Sequence, residues 1–183
     1  MKKTLIGLLA LLMVGGMVSL AQAAETAEVI VRVTITTAIG IELVSGGLID
    51  FGPMAAGASE VVLSTSTVIR NDGTGASQTY KMSADSPGDW IAGSSATHNT
   101  YVLQAAFSSS EPASGNFDAP HDNVLIEDTD NIASNAALTI DGTYTGANVA
   151  WDESRSIWYK FQPPSSSSVT GPQDITVTIT ATP

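Results

Sequence analysis

The sequence predicts an all-β fold: a single antiparallel β-sandwich with Greek-key connections, following a cleaved leader. Three observations carry this. Apolar and polar residues alternate with a period of two through runs rich in Val, Ile and Thr. Roughly eight to ten such runs follow one another, separated by clusters of Gly, Pro, Asp and Ser. No segment after residue 24 sustains the 3.6-residue period of an amphipathic helix.

The first element is not part of the fold. Lys2 and Lys3 precede an apolar stretch from Leu5 to about Met17, and Ala21-Gln22-Ala23-Ala24 follows. This is the three-part pattern of a secretory signal, with cleavage expected after Ala23 or Ala24. A membrane anchor is the competing reading, because the stretch nearly reaches spanning length. Gly15-Gly16 and the small-residue exit argue against it. The expected division is therefore a signal peptide, 1–24, and one β-sandwich domain, 25–183. No membrane span is expected to survive cleavage.

From Ala27 to Leu43 the chain is β-branched. Val29, Val31, Val33 and Ile35 share one face, and Ile30, Arg32, Thr34 and Thr36 share the other. The run exceeds the roughly 5–6 residues of an ordinary strand, so a bend or strand switch is expected near Ala38–Gly40. Glu60–Arg70 reads as one strand ending at the turn Asn71-Asp72-Gly73. Ser77–Ala84 places Tyr80 and Met82 together. Thr100–Ser108 aligns Tyr101, Leu103, Ala105 and Phe107. Asn123–Glu127 and Ala137–Ile140 are short strands, and 131–138 has room for a turn or two of helix. Ser156–Gln162 sets Ile157, Tyr159 and Phe161 against Trp158, Lys160 and Gln162. Asp174–Thr182 directs Ile175, Val177 and Ile179 inward. The Pro- and Ser-rich stretch 163–172 leaves too little chain beyond it for another domain, and reads as a long hairpin-type loop joining the last two strands.

Gly47-Leu48-Ile49-Asp50-Phe51-Gly52-Pro53-Met54-Ala55-Ala56-Gly57 leads into Glu60–Arg70 and then Asn71-Asp72-Gly73. This order resembles the opening of immunoglobulin-like β-sandwich domains in bacterial secreted and surface proteins, over residues 47–73. The resemblance implies that fold and an extracellular setting. Local chemistry agrees: Phe51 would plug the sandwich, and Gly52 and Gly57 would permit tight turns. The inter-sheet disulfide of antibody-type domains is absent, since the chain has no cysteine.

Composition excludes several functions. Seven Lys and Arg stand against 18 Asp and Glu, a formal charge of −11. Losing Lys2 and Lys3 would take it to −13. No basic cluster exists to meet a polyphosphate, so nucleic acid is not an expected partner. Without cysteine there is no thiol catalysis and no Cys-ligated zinc. His98 and His121 are too far apart for a paired zinc motif, and no Gly-x-Ser-x-Gly accompanies them. No enzyme activity is expected.

Two binding features remain. Asp118, Asp122, Glu127, Asp128 and Asp130 crowd one stretch with Asn123 and Asn131. Such oxygen donors suit calcium, the one cofactor that comes into question, although EF-hand spacing is not met. The alternative is a solvated acidic loop. The aromatics Trp90, Trp151, Trp158, Tyr101, Tyr144 and Tyr159 are either core residues or a sugar-stacking platform. The expected function is a secreted, periplasmic or cell-surface structural protein, a filament or coat subunit whose partners are its own copies or other envelope proteins. Val29, Val31, Val33 and Ile35 would be its assembly strand, pairing with a neighbour's sheet edge; alternatively this segment is the first strand of its own sandwich. An extracellular glycan-binding module or adhesin, stabilised by calcium, is the alternative function.

Overall fold

The structure is a computed structural model that describes residues 27–35, 39–73, 77–117, 124–125, 130–140 and 142–183. The leader expected at 1–24 lies outside them. Twelve strands are found among the described residues: β1 (Ala27–Ile35), β2 (Ile41–Ser45), β3 (Leu48–Met54), β4 (Val61–Val62), β5 (Thr67–Asn71), β6 (Thr79–Asp85), β7 (Ile91–Ala92), β8 (Thr100–Phe107), β9 (Val124–Leu125), β10 (Asn131–Ile132), β11 (Ser154–Gln162) and β12 (Gln173–Thr182). A 3₁₀ turn at Ser114–Phe117 is the one helical element described.

These strands form a β-sandwich. A five-stranded sheet runs β10-β6-β12-β1-β3, and a seven-stranded sheet runs β2-β5-β11-β8-β7, with β4 on β11 and β9 on β8. Pairing is antiparallel except at β1–β12 and β7–β8, which are parallel. The bend or strand switch expected near Ala38–Gly40 is found as a strand switch: β1 belongs to one sheet and β2 to the other.

Alternation places the core where the sequence puts it. Tyr80, Met82 and Ala84 of β6, Ile175, Val177 and Ile179 of β12, and Ile49 and Phe51 of β3 face Ile69, Tyr101, Leu103, Ala105, Phe107, Ile157, Tyr159 and Phe161. Phe161 is the hub at one end, with ring centroids 5.2 Å from Phe51, 5.8 Å from Tyr101 and 6.3 Å from Trp90. Tyr80 and Phe107 stack at 6.2 Å elsewhere in the core. Phe51 thus takes the plugging position expected of it. The turn after β5 is closed by the Asn71 side chain, which accepts a bond from the Gly73 amide at 2.9 Å.

Several expectations are corrected. Glu60–Arg70 is not continuous. β4 and β5 both pair with β11, and the chain bulges between them, where Leu63 N–H meets the Tyr159 carbonyl at 3.4 Å. The cause is the corner between β2 and β3. Gly46, at φ 74°, lies so close to Ser66 and Thr67 that a side chain there would collide with them, and its carbonyl accepts the Thr67 hydroxyl at 2.8 Å. Ala137–Ile140 contributes only a single bridge, Thr139 to Phe107, because Leu138 adopts a left-handed φ of 55°. Residues 131–138 form no helix; Asn131 and Ile132 are held as β10 against Lys81 and Met82. Finally, 163–172 is not a hairpin loop. It crosses between the sheets, since β11 and β12 lie in different ones.

The segment between β8 and β10 has a role that alternation does not reveal. Val102 and Ala106 point away from the core and are nevertheless buried, as is Phe117. Gln104 donates to the Phe117 carbonyl at 2.6 Å, and the Trp158 indole donates to the Ser108 carbonyl at 3.0 Å. Part of the outer face of the seven-stranded sheet is thereby covered by its own chain.

Candidate functional site

The candidate assembly strand carrying Val29, Val31, Val33 and Ile35 is β1. Its backbone lies between two neighbours. Seven residue pairs join it to β12 in parallel, from Val29–Gln173 to Ile35–Ile179. Five join it to β3 in the antiparallel sense, from Ala27–Met54 to Arg32–Leu48, with a register shift between Glu28 and Ile30. Both edges of β1 are thus bonded, and β3 forms the margin of the sheet beyond it. Leu48 is exposed on β3, and Leu43 and Val44 are exposed on β2 at the edge of the other sheet.

Of the acidic stretch, Asp118, Asp122, Glu127 and Asp128 lie outside the described residues, as does His121. Asp130 is described, and it forms an ion pair with Lys81. Among the described residues, no group of three or more His, Asp or Glu is arranged to hold a metal ion.

The aromatics separate by environment. Trp90, Tyr101 and Tyr159 are buried, Tyr144 and Trp158 are half-buried, and Trp151 is 61% exposed. The Trp90 indole donates to the Ser167 hydroxyl at 3.0 Å, which ties the crossover after β11 to the core. Trp151 stands in the turn before β11. That turn is clamped to β5: Asp152 N–H donates to the Asn71 carbonyl at 2.9 Å, and Asn71 N–H donates to the Glu153 carbonyl at 3.1 Å.

Cations are used internally. Arg70 bonds Glu42 and also reaches Asp152 at 3.0 Å. Arg155 meets Glu153 at 2.6 Å and lies 4.9 Å over the Tyr144 ring. The Lys160 ammonium is nearly buried. It sits 3.3 Å from both Glu60 and the Ser114 carbonyl, and 5.8 Å from the Phe117 ring centre. These contacts shift the carboxylates. The Ser114 hydroxyl, against some opposing desolvation, and then Lys160 hold the Glu60 carboxyl below its ordinary value. The hydrogen bond from Arg155 does the same for Glu153. Burial pushes the Tyr80 hydroxyl up to about 12, and that of Tyr159 further.

Among the described residues, the contact closest to nucleophile–base geometry joins His98 Nδ1 and the Ser166 hydroxyl, 3.0 Å apart on exposed loops. Nucleophilic catalysis needs a third group to orient the imidazole, and no carboxylate contact to His98 is found among the described residues. Sequence reasoning missed the Lys160–Glu60–Ser114 cluster. The apolar neighbours of Lys160 in the strand were its one signal. No family model matches the chain, and no curated protein is similar to it in sequence.

Proposed function

We propose that the protein is an exported, non-enzymatic structural subunit of immunoglobulin-like build, assembling into a filament or coat at the cell surface or within the envelope by β-strand addition of its N-terminal segment. The observation that carries the reading is the position of β1. A terminal strand bonded along both of its edges makes the same main-chain bonds whether it belongs to the chain itself or to another copy. Repeating that donation head to tail gives a contact that does not close, and so a fibre. Residues 36–40 join β1 to β2 and can span at most ~18 Å, so a donated β1 would enter an immediately adjacent copy. Its partners in this reading are copies of itself or other envelope proteins.

The absence of cysteine supplies a clean test. Arg32 and Leu48 face each other across the β1–β3 ladder, at a separation that suits a disulfide. In the double variant Arg32→Cys, Leu48→Cys, donated strands would link successive subunits. Oxidation would then produce a ladder of covalent multimers on a non-reducing gel. A monomer closed by an internal disulfide would overturn the proposal.

A further inference from the structure

We infer that the outer face of the seven-stranded sheet around Glu42, Arg70 and Ser154 is a platform for a neutral oligosaccharide, anchored by Trp151. The inference does not depend on strand addition.

The register builds the platform. β5 buries Thr67, Ile69 and Asn71 and turns Val68 and Arg70 outward. β11 buries Ile157, Tyr159 and Phe161, so Ser154 and Ser156 lie on the outward side with Arg70 and Val68. Glu42 of β2 pairs with Arg70, and Arg70 pairs with Ser154, giving one row across three strands. Ser45, Val68 and Ser156 form the next row. Among the described residues, the covering segment is bonded to this sheet at Gln104, Trp158 and Lys160, whose polar atoms meet Phe117, Ser108 and Ser114. In the rows through Arg70 and Val68, Ser45 and Ser154 are exposed and Glu42, Val68, Arg70 and Ser156 are half-buried.

Trp151 is exposed in the turn that joins the ends of β5 and β11, next to Asp152, whose carboxylate reaches Arg70 on this face. Besides the two bonds to Asn71, Ala150 N–H donates to the Glu153 carboxylate and Glu153 N–H to the Ala150 carbonyl, each at 3.1 Å. Asp152 is held at φ 62°, a left-handed conformation that a non-glycine residue keeps only when its surroundings over-determine it. The turn therefore presents a large apolar ring to water from a backbone that is already ordered. A ligand stacking on it would not have to order that backbone first.

The polar groups specify the ligand's chemistry. Arg70 joins Glu42 and Asp152 into a chain of planar donors and acceptors, and Asp72 is also close enough to act on it, so one positive group stands among three negative ones. In a chain of net charge −11, this surface repels phosphates and acidic sugars. Among the described residues it has no group of three or more acids arranged to hold a cation. A neutral pyranose matches it. Its C–H face covers an indole as another apolar ring would, while its hydroxyls both donate and accept along a carboxylate–guanidinium row. Spacing between neighbouring strands of roughly 4.8 Å puts successive polar groups on the scale of one sugar unit.

The test is titration of the full chain with hexaoses of glucose (β-1,4 and β-1,3), xylose, mannose and N-acetylglucosamine, followed by tryptophan fluorescence and calorimetry. At least one is expected to bind with a dissociation constant of ~1 mM or tighter. Trp151→Ala should weaken that binding about tenfold or more, and Arg70→Gln should weaken it less, with far-UV circular dichroism unchanged. Ile132→Ala removes another exposed apolar side chain, on the five-stranded sheet, and should have no effect. Failure of every hexaose to bind, or equal binding by Trp151→Ala, overturns the inference. So does a Trp151→Ala variant that loses self-association on sedimentation while sugar binding is absent, since that would assign the ring to a second copy. The disulfide ladder reads strand donation separately, so either proposal can fail without the other.

Discussion

Lys160 offers a perturbation whose sign separates two views of a buried ion pair. Its side chain is 6% exposed, whereas that of Glu60 is 42% exposed. At 3.3 Å the pair has a gross attraction of ~5 kcal/mol at an effective dielectric constant of 20, offset by several kcal/mol for taking the ammonium out of water. Lys160→Met removes the charge and keeps the stem that fills the space beside Phe117. Glu60 can then hydrate, and one carbonyl bond at Ser114 is lost, so the expected cost is ~1 kcal/mol. Glu60→Ala instead leaves a buried ammonium with only a carbonyl and a ring face. The expected cost is ~3 kcal/mol, the low end for a broken buried pair because Glu60 already borders water. Urea titrations of both variants, followed by tryptophan fluorescence and circular dichroism, measure the difference, with Ser114→Ala isolating the hydroxyl's share. In a domain of this size the two changes correspond to melting shifts of ~2–4 °C and ~6–12 °C. Should Lys160→Met cost as much as Glu60→Ala, the ion pair would be net stabilising and the reasoning refuted.

Other outcomes follow from the same geometry. Glu60 and Glu153 have folded-state pKa values below their ordinary 4.5. Their stabilisation is therefore complete above pH 4.5 and disappears as pH falls through the lowered values, which melting curves between pH 6 and pH 3 would detect. Tyr80 and Tyr159 are raised above their ordinary 10.0, so their contribution is complete below pH 10 and is lost as pH rises. Their tyrosinate absorbance is expected to appear together with unfolding rather than ahead of it. Tyr80→Phe removes a buried hydroxyl with no protein hydrogen bond among the described residues, and is expected to be neutral or to stabilise by up to ~1 kcal/mol in urea titration. Gly46→Ala would place a methyl group against Ser66 and Thr67 at φ 74°, and should cost more than ~2 kcal/mol by the same assay. Since Asp130 is already engaged by Lys81, EDTA is expected to leave the melting temperature unchanged; a fall on chelation would assign calcium to the acidic stretch.

Legibility followed from how each strand is covered. β6 and β12 each bury one face, so alternating residues such as Ile175, Val177 and Ile179 reveal both the strand and its orientation. β8 is covered on both faces, and the run Tyr101-Val102-Leu103 conceals the second layer that the segment after β8 places over it. Trp90 and Trp151 illustrate the same limit at the site. Each adjoins an aspartate in a turn-like context, and nothing local distinguishes them. Trp90 is buried because Phe161 and Ser167 meet it from far along the chain, whereas Trp151 has its backbone pinned by Asn71 and its ring left in water. The Arg70 row depends likewise on register across three strands.

Strand content, the buried face of most strands and the main turns were therefore determined by the sequence alone, because period-two alternation and turn chemistry act between near neighbours in the chain. Which sheet each strand joins, the parallel union of β1 with β12 and the crossing from β11 to β12 were decided only by the tertiary structure. Those bonds link backbone groups that are chemically alike at every residue, so only the packing of two whole sheets selects among them.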